Sequence, residues 1–176
     1  MSAVPPPPVP GDDRDWTFVI TDGCGECGFR PVPVAELSDW FVERSSRWRE
    51  PLTRDEVAER PEPGVWSALE YGRHVQDMLV LLKDRVYAML AEQTPMLADW
   101  DGDAQAVELE YWKADPLKTL VELQRAAVRA GTLLGSVSGV DWERTGLRSD
   151  GMSFTVAAMS QYIAHEMEHH LHDVGA

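Results

Sequence analysis

The chain is 176 residues long with a net charge of −14 at pH 7, the length of one domain with room for a buried core. The acidic balance has no basic stripe to offset it, which excludes nucleic acid and anionic membrane surfaces as favourable partners. The 44% hydrophobic, 26% charged composition is that of a globular protein, and the longest strictly apolar run, Met78 to Leu82, is far short of a membrane span.

Taken in order, residues 1–15, with Pro5 to Pro8 and then G-D-D-R-D, are predicted to be a disordered or polyproline arm. The first ten residues lack a basic segment followed by an apolar one, so no secretory signal is read there and a cytoplasmic location is expected. Residues 16–33 form an irregular segment: W-T-F-V-I from Trp16 to Ile20 reads as strand-like, and the glycines at 23, 25 and 28 make a turn or knuckle. This knuckle carries a C-x-x-C at Cys24 and Cys27, with three readings: a local structural role, a metal site completed by a histidine, or a redox pair. Pro31 and Pro33 prevent the immediate helix that a redox pair usually opens. No second C-x-x-C completes a zinc set.

Four long helical patterns occupy residues 34–176. The first runs from Val34 to Arg49, with Leu37, Trp40, Phe41, Arg44 and Trp48 at helical spacing, and Pro51 ends it. A loop with Pro61, Pro63 and Gly64 follows. Ser67 caps the second helix, with Glu70 completing a capping box, and the pattern continues to about Gln93. Val75, Leu79, Leu82, Val86 and Met89 line one face; His74 lies on its shoulder, about 100° from the middle. Residues 94–114 read as an acidic connector. Asp99, Asp101, Asp103 and Glu110 have the spacing of a calcium loop, but Ala104 stands where that loop needs glycine. Asp115 and Pro116 cap and open a third helix through about Leu134, and a long connection with a hairpin-like loop leads to the last helix, beginning near Phe154. Its stripe of Val156, Met159, Ile163, Met167, His170 and Val174 is expected to face the core. The predicted fold is an all-α four-helix bundle with long connections.

Four of the five histidines fall between Ser160 and Val174. His165 and His169 are four apart, so a helix stacks them on one face at chelating distance. A third ligand must come from elsewhere, and His74 is the only histidine outside this stretch. Three imidazoles leave coordination positions open, the arrangement of catalytic metal sites. Against this stand a solvated histidine face, an alternative pairing that uses His172, and a boundary role for His74 bonded to backbone.

The run W-S-A-L-E-Y-G-R-H ending at His74, together with I-A-H-E-M-E-H-H-L-H-D from Ile163 to Asp173, resembles the DinB/YfiT-like superfamily of bacterial four-helix bundles over about residues 34–174. The resemblance implies a metal site of His74, His165 and His169 holding zinc or nickel. Branches related to the N-terminal domains of mycothiol-dependent maleylpyruvate isomerases further imply a thiol cofactor: mycothiol, bacillithiol or glutathione. Arginine outnumbers lysine 13 to 3, a bias compatible with an actinobacterial source, where mycothiol is the thiol. The resemblance does not cover the knuckle, and the DinB name does not imply DNA binding.

The expected function is that of a metal- and thiol-dependent transferase acting on a small-molecule electrophile. The alternatives are a metal-dependent hydrolase, a non-catalytic metal- or ligand-binding bundle, and a homodimer with vestigial histidines. Glu70, Glu166 and Glu168 are candidates for orienting an imidazole or moving a proton. Tyr162 and Arg73 are candidates for facing substrate. Capping explains Glu70 better, and surface placement explains Tyr162 and Arg73 equally well.

Overall fold

The computed structural model describes residues 6–11 and 14–176; residues 1–5, 12 and 13 of the expected arm lie outside the described residues. In chain order the helices are α1 (Val19–Asp22), α2 (Leu37–Arg47), α3 (Ala68–Ala91), α4 (Gly102–Glu108), α5 (Pro116–Gly135) and α6 (Val156–Asp173), with short strands β1 (Met96–Leu97), β2 (Thr145–Arg148) and β3 (Ser153–Thr155).

Local signals set the helix starts. The Ser67 side chain accepts from the Glu70 N–H while the Glu70 carboxylate accepts from the Ser67 N–H at 2.9 Å, so the capping box opens α3 as expected. Asp115 accepts from the Lys118 N–H at 2.7 Å ahead of Pro116 and α5. Thr155 accepts from the Ala158 N–H at 3.0 Å and opens α6 straight out of β3.

The bundle consists of α2, α3, α5 and α6. α5 packs on α2 and α3, and α6 packs on α3 and α2. Phe41 and Trp48 at one side, Leu79, Leu82 and Met89 of α3, Leu123 of α5 and Met167 of α6 are all fully buried between them. The expected all-α four-helix bundle is observed, and the sheet is a minor addition. β1 pairs with β2 in parallel through Met96 and Leu147, and β2 pairs with β3 antiparallel through Thr145 and Thr155. Arg144 fixes this hairpin to the end of α3 by donating to the Met89 and Glu92 carbonyls, at 2.6 and 2.8 Å, thereby satisfying last-turn carbonyls of that helix.

Two segments differ from their expected form. Trp16 to Ile20 enters a single helical turn rather than a strand. The Asp15 carboxylate accepts from the Thr17 N–H at 2.9 Å, and Gly23 at φ +77° ends the turn. The 94–114 connector holds β1, α4 and a 3₁₀ turn at Tyr111–Lys113. Its acidic run serves as a helix start, with Asp101 accepting from the Ala104 N–H at 2.9 Å. Fully buried Tyr111 pins the segment against Trp66. No helix among the described residues is long and apolar enough to cross a membrane.

Candidate metal centres

On α6 the sequence H-E-M-E-H-H offers two interleaved pairs at i,i+4 spacing: His165 with His169, and Glu166 with His170. Adjacent positions on a helix differ by about 100°, so the two pairs face different neighbours. Glu166 and His170 turn toward α3, while His165 and His169 turn toward the N-terminal segment.

Toward α3, His74, Glu166 and His170 each offer a ligand atom, all within 4.8 Å of one another. The rings of His74 and His170 stand edge to face at 5.1 Å. The Asp173 carboxylate lies 2.9 Å from Nδ1 of His170. A proton held there leaves Nε2 as a free lone pair, the outer-shell arrangement that orients metal-ligating imidazoles. That Nε2 is buried without a hydrogen-bond partner and lies 3.5 Å from Glu166 Oε2. Two ligands about 2.0–2.1 Å from a tetrahedral ion stand about 3.4 Å apart. The spacing is therefore one that an ion can bridge. Nδ1 of His74 is also buried and unpartnered, and burial, then the neighbouring His170, push its pKa well below the ordinary value, keeping the ring in its neutral, metal-binding form. Gly102 makes room for this ring: a Cβ there would come within 2.7 Å of His74 Cε1.

Toward the N-terminus, Cys24, Cys27, His165 and His169 form a second group, their ligand atoms also within 4.8 Å. Cys24 Sγ lies 3.8 Å from His169 Nδ1. Burial opposes ionisation of Cys24, but the N–H groups of Cys27 and Glu26 and the two imidazoles outweigh it and bring the thiol down to about 6. Burial, and then the adjacent Cys24, push Cys27 up to about 12. Neither cysteine is in a disulfide.

His74 on the one hand and His165 with His169 on the other thus enter different ligand groups. Glu166 stands between the groups, with Oε1 at 3.5 Å from His165 Nδ1. Glu70 is taken up by its cap and by Arg60, whose Nε donates to it at 2.9 and 3.1 Å. Glu168 pairs with Arg44 and Arg47 of α2, at 2.9 and 3.1 Å, outside both groups. Arg73 reaches Gln76 and Asp77 and covers the Tyr111 ring. Tyr162 lines the cavity against Phe154. His172 is largely exposed.

A cavity of about 610 Å³ opens over the His74 group. Trp16, Trp66 and Trp100 give it flat apolar walls, and Arg85 and Arg148 give it cationic donors. From sequence, Glu166 is a candidate for orienting an imidazole or moving a proton rather than a ligand, His170 falls on the core stripe, and Asp173 has no role. Their available signal is the E-x-x-x-H-x-x-D run, the same i,i+4 chelating pair one residue out of phase with H-x-x-x-H. Asp173→Asn, which keeps the shape but weakens the hold on the His170 Nδ1 proton, is expected to lower ion affinity at this group by about 10–100-fold. Competition with a chromogenic chelator measures this, and an unchanged affinity removes Asp173 from the site.

A model of the DinB superfamily matches residues 37–174. Among solved structures, YfiT from Bacillus subtilis, described as a probable metal-dependent hydrolase with an unusual four-helix bundle topology, is similar at a TM-score of 0.72 and 20% identity, over 80% of this chain and 83% of that one. A mycothiol-dependent maleylpyruvate isomerase is similar at a TM-score of 0.62 and 14% identity, over 82% of this chain; the chain spans 62% of that enzyme's length. At such identities the likeness concerns the fold. No curated protein matches the chain in sequence.

Proposed function

The chain belongs to the DinB superfamily, and we propose that it is a metal-dependent enzyme acting on a small-molecule electrophile, with His74, Glu166 and His170 holding a zinc or nickel ion. The observation that carries this reading is the convergence of two imidazoles and a carboxylate within 4.8 Å at the wall of a cavity. An ion with three protein ligands and an open position polarises an electrophile, or lowers the pKa of a water or thiol that reaches it. The protein's own residues supply the rest. Asp173 aims His170, Gly102 leaves room for His74, the tryptophans exclude water, and Arg85 and Arg148 are placed to take a carboxylate of the bound molecule.

A low-molecular-weight thiol of the mycothiol type is the nucleophile this reading favours. The cavity, at about 610 Å³, is far larger than a water needs and falls in the range that holds a small-molecule ligand. The solved isomerase of similar fold is named for that thiol. Hydrolysis is the second reading, favoured by the donor set itself: two histidines and a glutamate are the ligands of hydrolytic zinc sites.

The test is turnover of a panel of small electrophiles by zinc- or nickel-loaded protein, with and without mycothiol, bacillithiol and glutathione. Thiol-dependent turnover that a chelator abolishes is the expected result. Turnover without thiol selects hydrolysis. A protein that binds no ion through His74 sinks both readings and leaves a non-catalytic bundle.

A further inference from the structure

We propose that Cys24, Cys27, His165 and His169 form a closed, structural zinc site that fastens the N-terminal segment onto α6, separate from the open centre at His74. The argument begins with the knuckle. The Gly28 N–H donates to the Cys24 carbonyl and the Cys24 N–H to the Phe29 carbonyl, both at 3.0 Å, while Gly28 takes φ +76°. This turn folds the chain back on itself between the two thiols and delivers both sulfurs to one side, against the His165/His169 strip of α6.

The separations fit zinc. With about 2.3 Å to sulfur and about 2.0–2.1 Å to nitrogen, a tetrahedral ion holds S and N ligands about 3.6 Å apart, and Cys24 Sγ to His169 Nδ1 is 3.8 Å. Cys24 and His165 are each only 1% exposed. Both ring nitrogens of His165 are buried with no hydrogen bond; Nδ1 faces Glu166 Oε1 at 3.5 Å, which leaves the lone pair on Nε2 to be taken up. An imidazole left so is destabilising unless something accepts its lone pair, and an ion among the four groups does so. Thiolate and imidazole together select zinc over harder cations, and two thiolates balance its charge in a buried place. Four protein ligands close the coordination sphere, as in structural sites, whereas the three at His74 leave it open.

The clasp has a consequence for the cavity. Trp16 stacks on the His165 ring at 5.2 Å and meets His169 edge-on at 5.0 Å, so an ion that fixes these rings also fixes one wall of the cavity. A second strap holds the segment independently, because the Gln161 side chain both accepts from the Val32 N–H at 2.9 Å and donates to its carbonyl at 2.5 Å. Loss of the ion therefore loosens the segment without unfolding the bundle. Both cysteines precede residue 37, where the family match begins, so the cysteine half of the clasp lies outside the matched region and the histidine half within it.

The test uses the full chain purified without an affinity tag. Inductively coupled plasma mass spectrometry is expected to find two ions per chain in the wild type, with one lost in Cys24→Ser/Cys27→Ser and the other lost in His74→Ala. After cobalt substitution, a sulfur-to-cobalt charge-transfer band is expected in the wild type and in His74→Ala and is absent from the double serine variant. Should that variant fail to fold, alkylation of the wild type decides: both thiols are expected to react more than about tenfold faster after chelation, since the ion holds them as ligands. Equal alkylation rates, a Cys24–Cys27 disulfide in the isolated protein, or an unchanged metal content in the double serine variant overturns the clasp. Such a result leaves the His74 centre untouched, and failure of catalysis likewise leaves the cobalt band in place.

Discussion

His74→Ala is expected to lose the ion of the open centre and to lower kcat/KM by more than about 100-fold, because removing a direct ligand costs more than the 10–100-fold typical of outer-shell changes. His74 is the one ligand contributed by α3; without it, Glu166 and His170 remain as a pair on one helix. The same substitution separates a ligand from a structural histidine by its effect on metal-free stability. The imidazole is buried with Nδ1 unpartnered, and such a group is destabilising by about 1–3 kcal/mol. Its removal therefore offsets most of the packing lost with the ring, and the metal-free variant should melt close to the metal-free wild type. A histidine kept for packing or hydrogen bonding gives the opposite pattern: a lower melting temperature and an intact ion content. Metal analysis and thermal melts of chelated protein distinguish the two, and the second outcome removes His74 from the chemistry.

What the sequence reveals of this protein follows how local each signal is. The starts of α3 and α5 were legible because a cap needs only neighbours: Ser67 with Glu70, and Asp115 with Pro116. The shoulder position of His74 was legible too, since helical phase follows from the apolar stripe around Val75, Leu79 and Leu82. The phase of α6 was not. Its histidine-rich run carries two chelating pairs one residue apart, and only tertiary packing decides which strip meets α3. His170 read as part of the core stripe because it is in phase with Ile163 and Met167; it does point inward, toward His74 and Tyr71 rather than into apolar side chains. A histidine partner for Cys24 is among the sequence readings, but which histidine was beyond reach for a related reason. His169 lies 145 positions away, and no spacing rule connects a knuckle to a helix at that separation. The acidic run at Asp99 to Asp103 reads as a connector, with Ala104 against a calcium loop, while the operative signal is a single capping aspartate, Asp101.

Arg60→Ala is expected to destabilise the fold by about 3–5 kcal/mol, the usual cost of stranding one member of a buried ion pair. Glu70 is 1% exposed, and its carboxylate accepts from the Arg60 Nε–H, shared between its two oxygens, and from Arg60 Nη2, besides the Ser67 N–H and hydroxyl, both at 2.9 Å. Without the guanidinium, a full charge stays buried with only the cap donors to hold it. For a chain of this size the loss corresponds to a fall in melting temperature of about 6–20 °C. Glu70→Gln is a milder change, since the amide oxygen still accepts from Ser67 and the charge left unpaired, on Arg60, is the more exposed of the two, at 13% against 1%. Combining the two substitutions should therefore cost less than their sum, the sign of a direct pair in a double-mutant cycle. Arg60 also donates to the Pro7 carbonyl at 2.6 Å, next to Val9 and Pro10 on the cavity wall, and Glu70 lies one helical turn before His74. Arg60→Ala should accordingly weaken ion binding at the open centre without abolishing it, whereas His74→Ala removes it outright. A melt for Arg60→Ala within 2 °C of the wild type, on the scale of about 2–4 °C per kcal/mol, would mean that water reaches Glu70 and that the pair does not anchor the start of α3.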